Sequence, residues 1–137
     1  MKTKLSLGLD DAKKIAAAAE AEAQKNGWNV VIAIVDDGGH LLYLQRMDGT
    51  QPASSEVAPA KARAAALFKR PTKALEEIIA SGRVAMLNLP GLTPVEGGVP
   101  LLYRGEIVGA IGVSGVQSAE DGIVALAGAN SLEQTGG

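Results

Sequence analysis

Apolar residues recur at helical spacing at Leu9, Ala12, Ile15, Ala16, Ala19 and Ala23, while Lys13, Lys14, Glu20, Glu22 and Lys25 fall mostly elsewhere on the wheel. This predicts an amphipathic helix from Leu9 to Asn26 with a buried seam of small residues. Asp10 and Asp11 suit the positive end of its dipole, and Asn26-Gly27 is a stop. The pattern then turns β-branched from Asn29 to Val35. Asp36-Asp37-Gly38-Gly39 follows with residues that tolerate positive φ, and His40 to Gln45 is a second strand, so the segment is a hairpin. Arg46-Met47-Asp48-Gly49 leaves the sheet through a turn. Helix-forming residues run from Ser54 to Phe68, interrupted by Pro59, which belongs to the first turn if Ser55 caps the helix and kinks it if the helix starts earlier. A further helix is predicted from Pro71 to about Ser81-Gly82. Pro90, Gly91 and Pro94 make residues 83–96 mostly loop, with a short ordered piece at Val84 to Leu87. A last helix starts at Ser118-Ala119-Glu120-Asp121 and continues through Gly122 to Leu132, leaving Glu133 to Gly137 as a frayed tail.

Between them, two apolar runs, Val99 to Tyr103 and Glu106 to Val113, flank the tight-turn signal Arg104-Gly105. Their apolar character predicts a second hairpin in the middle of a covered sheet. Glycines at 109, 112 and 115 leave a strand with nothing to pack, so something approaches that backbone closely: a helix, a second subunit or a ligand. Hairpins make no parallel βαβ units, and the order helix, hairpin, two helices, loop, hairpin, helix predicts a largely antiparallel sheet with helices on its faces.

Composition narrows the functional classes. At 137 residues and 47% hydrophobic content, the chain is the size of one domain, spanning 1–137. A net charge of −2 without a Lys/Arg stripe argues against nucleic acid as a partner. The absence of cysteine removes thiolate chemistry and cysteine metal ligands. Met1 to Leu5 lacks the apolar core of a signal peptide and no apolar run reaches membrane-spanning length, so a soluble cytoplasmic protein without membrane attachment is expected.

Four segments carry a resemblance. Val35-Asp36-Asp37-Gly38-Gly39-His40-Leu41, Arg46-Met47-Asp48-Gly49, Ala60-Lys61-Ala62-Arg63-Ala64-Ala65 with Leu67-Phe68, and Gly97-Gly98-Val99-Pro100 with Gly109 to Gly115 occur in this order and together resemble the GlcG/HbpS family, which includes the carboxy-terminal domain of PduO. The resemblance covers most of residues 5–130. It implies an α+β, profilin-like α/β/α sandwich with a five-stranded antiparallel sheet and helices on both faces, and assembly into homo-oligomers. It also implies a protein that binds haem in some members and has accessory roles near catabolic or redox-sensing pathways in others. Two departures stand out: Ala64 replaces a threonine frequent in relatives, and Pro59 interrupts a helix that is usually smoother.

Candidate chemistry centres on five residues. His40, the only histidine, is read either as a partly exposed hairpin-end residue, as a haem or metal ligand, or as a general acid or base. One histidine without cysteine cannot make a closed zinc site, so no protein-only metal centre is expected. Tyr43 is three positions on, on the opposite face of a regular strand. Tyr103 is a further oxygen donor for haem or an ordinary packing residue. Arg46, Asp48 and Lys61 form either a convergent pocket for a carboxylate or haem propionate, or an ion network fixing the strand-to-helix turn. Gly112-Val113-Ser114-Gly115-Val116 falls short of a nucleophile elbow, and Gly109, Gly112 and Gly115 do not make a dinucleotide fingerprint. Glu120 and Asp121 are helix-dipole partners, with iron carboxylates as the alternative. The leading expectation is a non-catalytic small-ligand or haem-binding protein. The alternatives are a small isomerase or tautomerase in which Arg46 or Lys61 holds a carboxylate metabolite and His40 moves a proton, and an assembly protein. A homo-oligomer is expected in each case.

Overall fold

The structure, a computed structural model, describes residues 1–136, with side chains described through Leu132. Helix α1 spans Leu9–Asn26 and is followed by strands β1 (Val31–Asp36) and β2 (Leu41–Arg46). Helices α2 (Ser54–Phe68) and α3 (Thr72–Ala80) come next, then a short 3-10 helix at Val84–Asn88. Strands β3 (Gly98–Tyr103) and β4 (Glu106–Ser114) and helix α4 (Ser118–Gly136) complete the chain. The segment expected to fray thus continues as helix through Gly136, while Gly137 lies outside the described residues.

The ends of α1 follow the sequence signals. The Asp11 carboxylate accepts a hydrogen bond from the Gly8 N–H at 2.9 Å, and Gly27 closes the helix at φ +73°. Helix α2 begins at Ser54, after two turn bonds in which Ser54 and Ser55 N–H donate to Gln51 and Pro52 carbonyls. Pro59 is therefore the sixth residue of α2, inside the helix rather than in its first position.

The sheet is antiparallel with strand order β2-β1-β4-β3. It has four strands, not the five implied by the family resemblance. Two hairpins supply four strands, and residues 83–96, rich in proline and glycine, form a 3-10 turn and loop instead of a further strand. The second hairpin is not central as a unit. Strand β4 pairs on both sides and is almost entirely buried, whereas β3 is an edge whose Leu102 faces solvent and whose Pro100 sits where a missing N–H is tolerated.

Alternation along the central strands divides the core. Val30, Ile32, Ile34, Ile111 and Val113 pack against α1 and α4 on one face. Val31, Ala33, Val35 and Ala110 meet the alanines of α2 on the other. Helices therefore cover both faces, as expected. The close approach that the glycine-spaced strand called for comes from within the chain. A Cβ at Gly112 would collide with the Ala58 carbonyl oxygen and lie 2.5 Å from the Ala62 nitrogen, so α2 rests backbone to backbone on β4. Gly109 is closed by Leu7 and the Val35 carbonyl, and Gly115 by Asn29, Val30 and Thr50. The alanine seam of α1 is likewise consumed internally, with Ala19 and Ile15 closing over Gly128 of α4. Among the described residues, no helix is long and apolar enough to cross a membrane.

Candidate functional site

A cleft of about 560 Å³ opens where the end of α1 meets the exit of β2. Its walls are Glu20 and Gln24 from α1, Trp28 and Asn29 from the connection to β1, and Arg46, Met47 and Asp48 from the turn after β2. Local chemistry sets this turn. The Met47 N–H donates to the Val30 carbonyl at 3.0 Å, and the buried Thr50 hydroxyl and N–H both return to the Met47 carbonyl, at 2.7 and 3.2 Å. Arg46 Nη2 donates to the Thr50 carbonyl at 3.1 Å, which anchors the guanidinium while leaving most of its five N–H donors for a ligand. Trp28 and Met47 are half-buried against the core and give the cleft an apolar floor. Glu20 and Asp48 make no ion pair among the described residues, so the cleft carries two carboxylates and one guanidinium.

The five residues predicted from sequence do not form one site. Arg46 and Asp48 share this cleft. Lys61 does not join them: its side chain is 2% exposed and points into the interior, where Nζ donates to the Val113 carbonyl at 3.0 Å and to Asp121 Oδ2 at 3.1 Å. Asp121 Oδ1 in turn accepts the Val116 N–H at 3.1 Å, so this pair ties α2 to the β4–α4 connection. Burial pushes the Asp121 carboxyl above its ordinary pKa, against the opposing pull of the Lys61 ammonium and the Val116 N–H. The sequence reading of Asp121 as a helix-dipole partner missed this role, because its partner lies 60 residues away in the chain.

His40 sits on the β1–β2 turn, outside β2, with its side chain 81% exposed. Asp36 organises that turn. Its Oδ1 accepts the Gly38 N–H at 2.9 Å and the His40 N–H at 3.0 Å, and lies 3.2 Å from His40 Nδ1. Partial burial pulls the Asp36 carboxyl upward, but the two N–H donors and the imidazole outweigh it and hold its pKa below the ordinary value. The strand is not regular beyond the turn. Val35 pairs with Leu41 and Ile34 with Tyr43, leaving Leu42 as a bulge, so face alternation from His40 to Tyr43 is broken. The Tyr43 hydroxyl donates to Gln45 Oε1 at 3.2 Å. Tyr103 borders a smaller cavity of about 210 Å³ with Leu7, Val108 and Leu132, and the Arg104 guanidinium lies 5.2 Å from its ring centroid.

Sequence reasoning missed Trp28 and Glu20 as walls of the cleft. The available signal was the only tryptophan in the chain, placed directly after a helix stop where its ring must fold back over the preceding helix end.

A family model described as haem degrading protein HbpS-like matches residues 7–130. The chain belongs to the HbpS-like family. Protein GlcG of Escherichia coli is 52% identical over 114 residues, covering 83% of this chain and 85% of that protein. Among solved structures, a double mutant of Streptomyces reticuli HbpS is 34% identical with a TM-score of 0.87, covering 96% of this chain and 90% of that one. A PduOC:heme complex is 29% identical with a TM-score of 0.85, covering 93% of this chain and 95% of that one. The HbpS-like assignment agrees with the family resemblance seen in the sequence and with helices on both faces of an antiparallel sheet.

Proposed function

We propose that this HbpS-like chain is a cytoplasmic, self-associating and non-catalytic protein that binds a small carboxylate-bearing ligand or haem in the cleft beside Trp28. The observation that carries the proposal is the convergence of Arg46, Met47 and Asp48 with Trp28 around one cleft whose size falls within the ~300–1,000 Å³ usual for small-ligand sites. Arg46 is anchored and offers a fork to a carboxylate, while the indole and thioether suit a flat apolar body. The same donor set fits haem in part: Arg46 would hold a propionate, Trp28 would lie along the macrocycle, and the Met47 thioether is the soft donor available to iron. His40 does not line this cleft with Arg46, and Lys61 is buried in its pair with Asp121, which disfavours the isomerase alternative in which Arg46 or Lys61 holds the substrate and His40 moves a proton. Similarity to the PduOC:heme complex supports haem as the first ligand to try.

Titration with haemin, read as Soret absorption, tests the proposal. A saturable change that Arg46→Ala weakens about tenfold is expected, as for loss of one charge-assisted contact. Absence of a saturable change with haemin ends the haem reading, and an unaltered Arg46→Ala titration ends the placement of the ligand in this cleft.

A further inference from the structure

A second cleft, of about 460 Å³, lies at the other end of β2 from Arg46, beside the β1–β2 and β3–β4 turns. We propose that it is a separate binding site for a small organic polyanion, a di- or tricarboxylate or a phosphate ester, with Lys2 and Lys69 as its free cationic groups. Lys2, Lys4 and Lys69 line it together with the Thr3 hydroxyl, and Ala66 and Ile107 supply apolar surface. Two carboxylates also border it. Asp37 is taken up by Lys4 at 2.6 Å, and Glu106 is the other. Lys2 and Lys69 have no ion-pair or hydrogen-bond partner for their ammonium groups among the described residues, so the cleft keeps a cationic excess.

The backbone gives an independent reason to assign a use to Lys69. Among the described residues, ten have left-handed or otherwise positive φ, and eight of them are glycine. The two exceptions are both cations, Lys69 at φ +54° and Arg104 at φ +52°. A Cβ is disfavoured in this conformation, and glycine is the residue that occupies it at least cost. Lys69 caps α2 by donating its N–H to the Ala65 carbonyl, a service of the backbone that glycine would render equally. Arg104 is not a lining residue of this cleft, since its guanidinium lies over the Tyr103 ring at 5.2 Å. A cationic side chain thus stands at Lys69, a position where the fold would accept glycine more readily, and Lys69 lines the cleft.

Calorimetric titration of the intact protein with citrate and, separately, glycerol 3-phosphate tests the site, alongside Lys69→Gln and Lys69→Gly. Saturable binding of either probe, weakened about tenfold in both variants, is expected for loss of one charged contact. Lys69→Gly should at the same time raise Tm by roughly 2–4 °C through relief of the left-handed backbone. Citrate binding alone assigns the site to polycarboxylates, and glycerol 3-phosphate binding alone assigns it to phosphate esters. No saturable binding of either probe up to roughly 10 mM overturns the proposal. So does binding that both Lys69 variants retain unchanged, which would leave Lys69 as a helix cap and nothing more.

Discussion

Asp36 and His40 share one turn but play unequal parts. The carboxylate holds two backbone N–H groups, whereas the exposed imidazole adds only a contact at 3.2 Å to the same oxygen. His40→Ala should therefore change stability by no more than about 0.5 kcal/mol in thermal unfolding, and Asp36→Ala should cost about 1–2 kcal/mol. The Asp36 pKa is lowered in the folded state, so its ionised form contributes stability above the ordinary value of 3.8. That contribution is lost as pH falls through the lowered folded pKa, and the gap between wild type and Asp36→Asn should close in acid. Lys61 and Asp121 behave in the opposite sense. Removing one partner leaves a charge in the interior, and Lys61→Met should cost about 3–5 kcal/mol at neutral pH, measured by denaturant unfolding. Because burial has raised the Asp121 pKa, the folded state takes up a proton before the unfolded chain as pH falls, and the penalty of Lys61→Met should shrink on acidification. A penalty independent of pH would rule out this role for the pair.

At the level of elements, the contact of α2 with β4 is the most sensitive. Gly112→Val would drive branched carbons into the Ala58 carbonyl and the Ala62 backbone, and a loss of about 3 kcal/mol or outright unfolding is expected. An unchanged melting curve would show that α2 does not rest on that glycine. The elements themselves were legible because each is a local pattern: the alanine seam of α1, the β-branched run before Asp36-Asp37-Gly38-Gly39, and the start of α4 at Ser118 all appear where periodicity and turn residues put them. The partner of the glycine strand was not legible, since helix, subunit and ligand would all ask for the same missing side chain. Neither was the edge position of β3, because α4 packs against it and permits an apolar sequence at an edge. Two residues of the candidate site, Arg46 and Asp48, were legible because they sit within one turn. For Lys61 the sequence left a ligand pocket and an ion network both open, because a lysine that ends in a buried ion pair and one that ends in a pocket look alike until the partner from α4 is brought alongside.

For the whole molecule, the proposed self-association draws no support from the α1 seam or the strand glycines, which are occupied within the chain. What remains is apolar surface left in solvent. Val84 and Leu87 stand one 3-10 turn apart, with Leu89 just beyond, and Ile123 and Leu126 share a face of α4. Sedimentation equilibrium at micromolar concentration should give a mass of at least twice the 14.0 kDa chain, and Leu126→Glu or Val84→Glu should lower it. A single species at the chain mass would show that these side chains cover no neighbour. The proposed ligand binding in the cleft at the Trp28 end of the sheet is tested by NMR on the single indole N–H and the backbone amides during titration with zinc protoporphyrin. Shifts concentrated at Trp28, Asn29 and residues 46–48 are expected. Shifts at residues 36–40 or 103–107 with the Trp28 indole unmoved would place the ligand elsewhere and refute the assignment of this cleft.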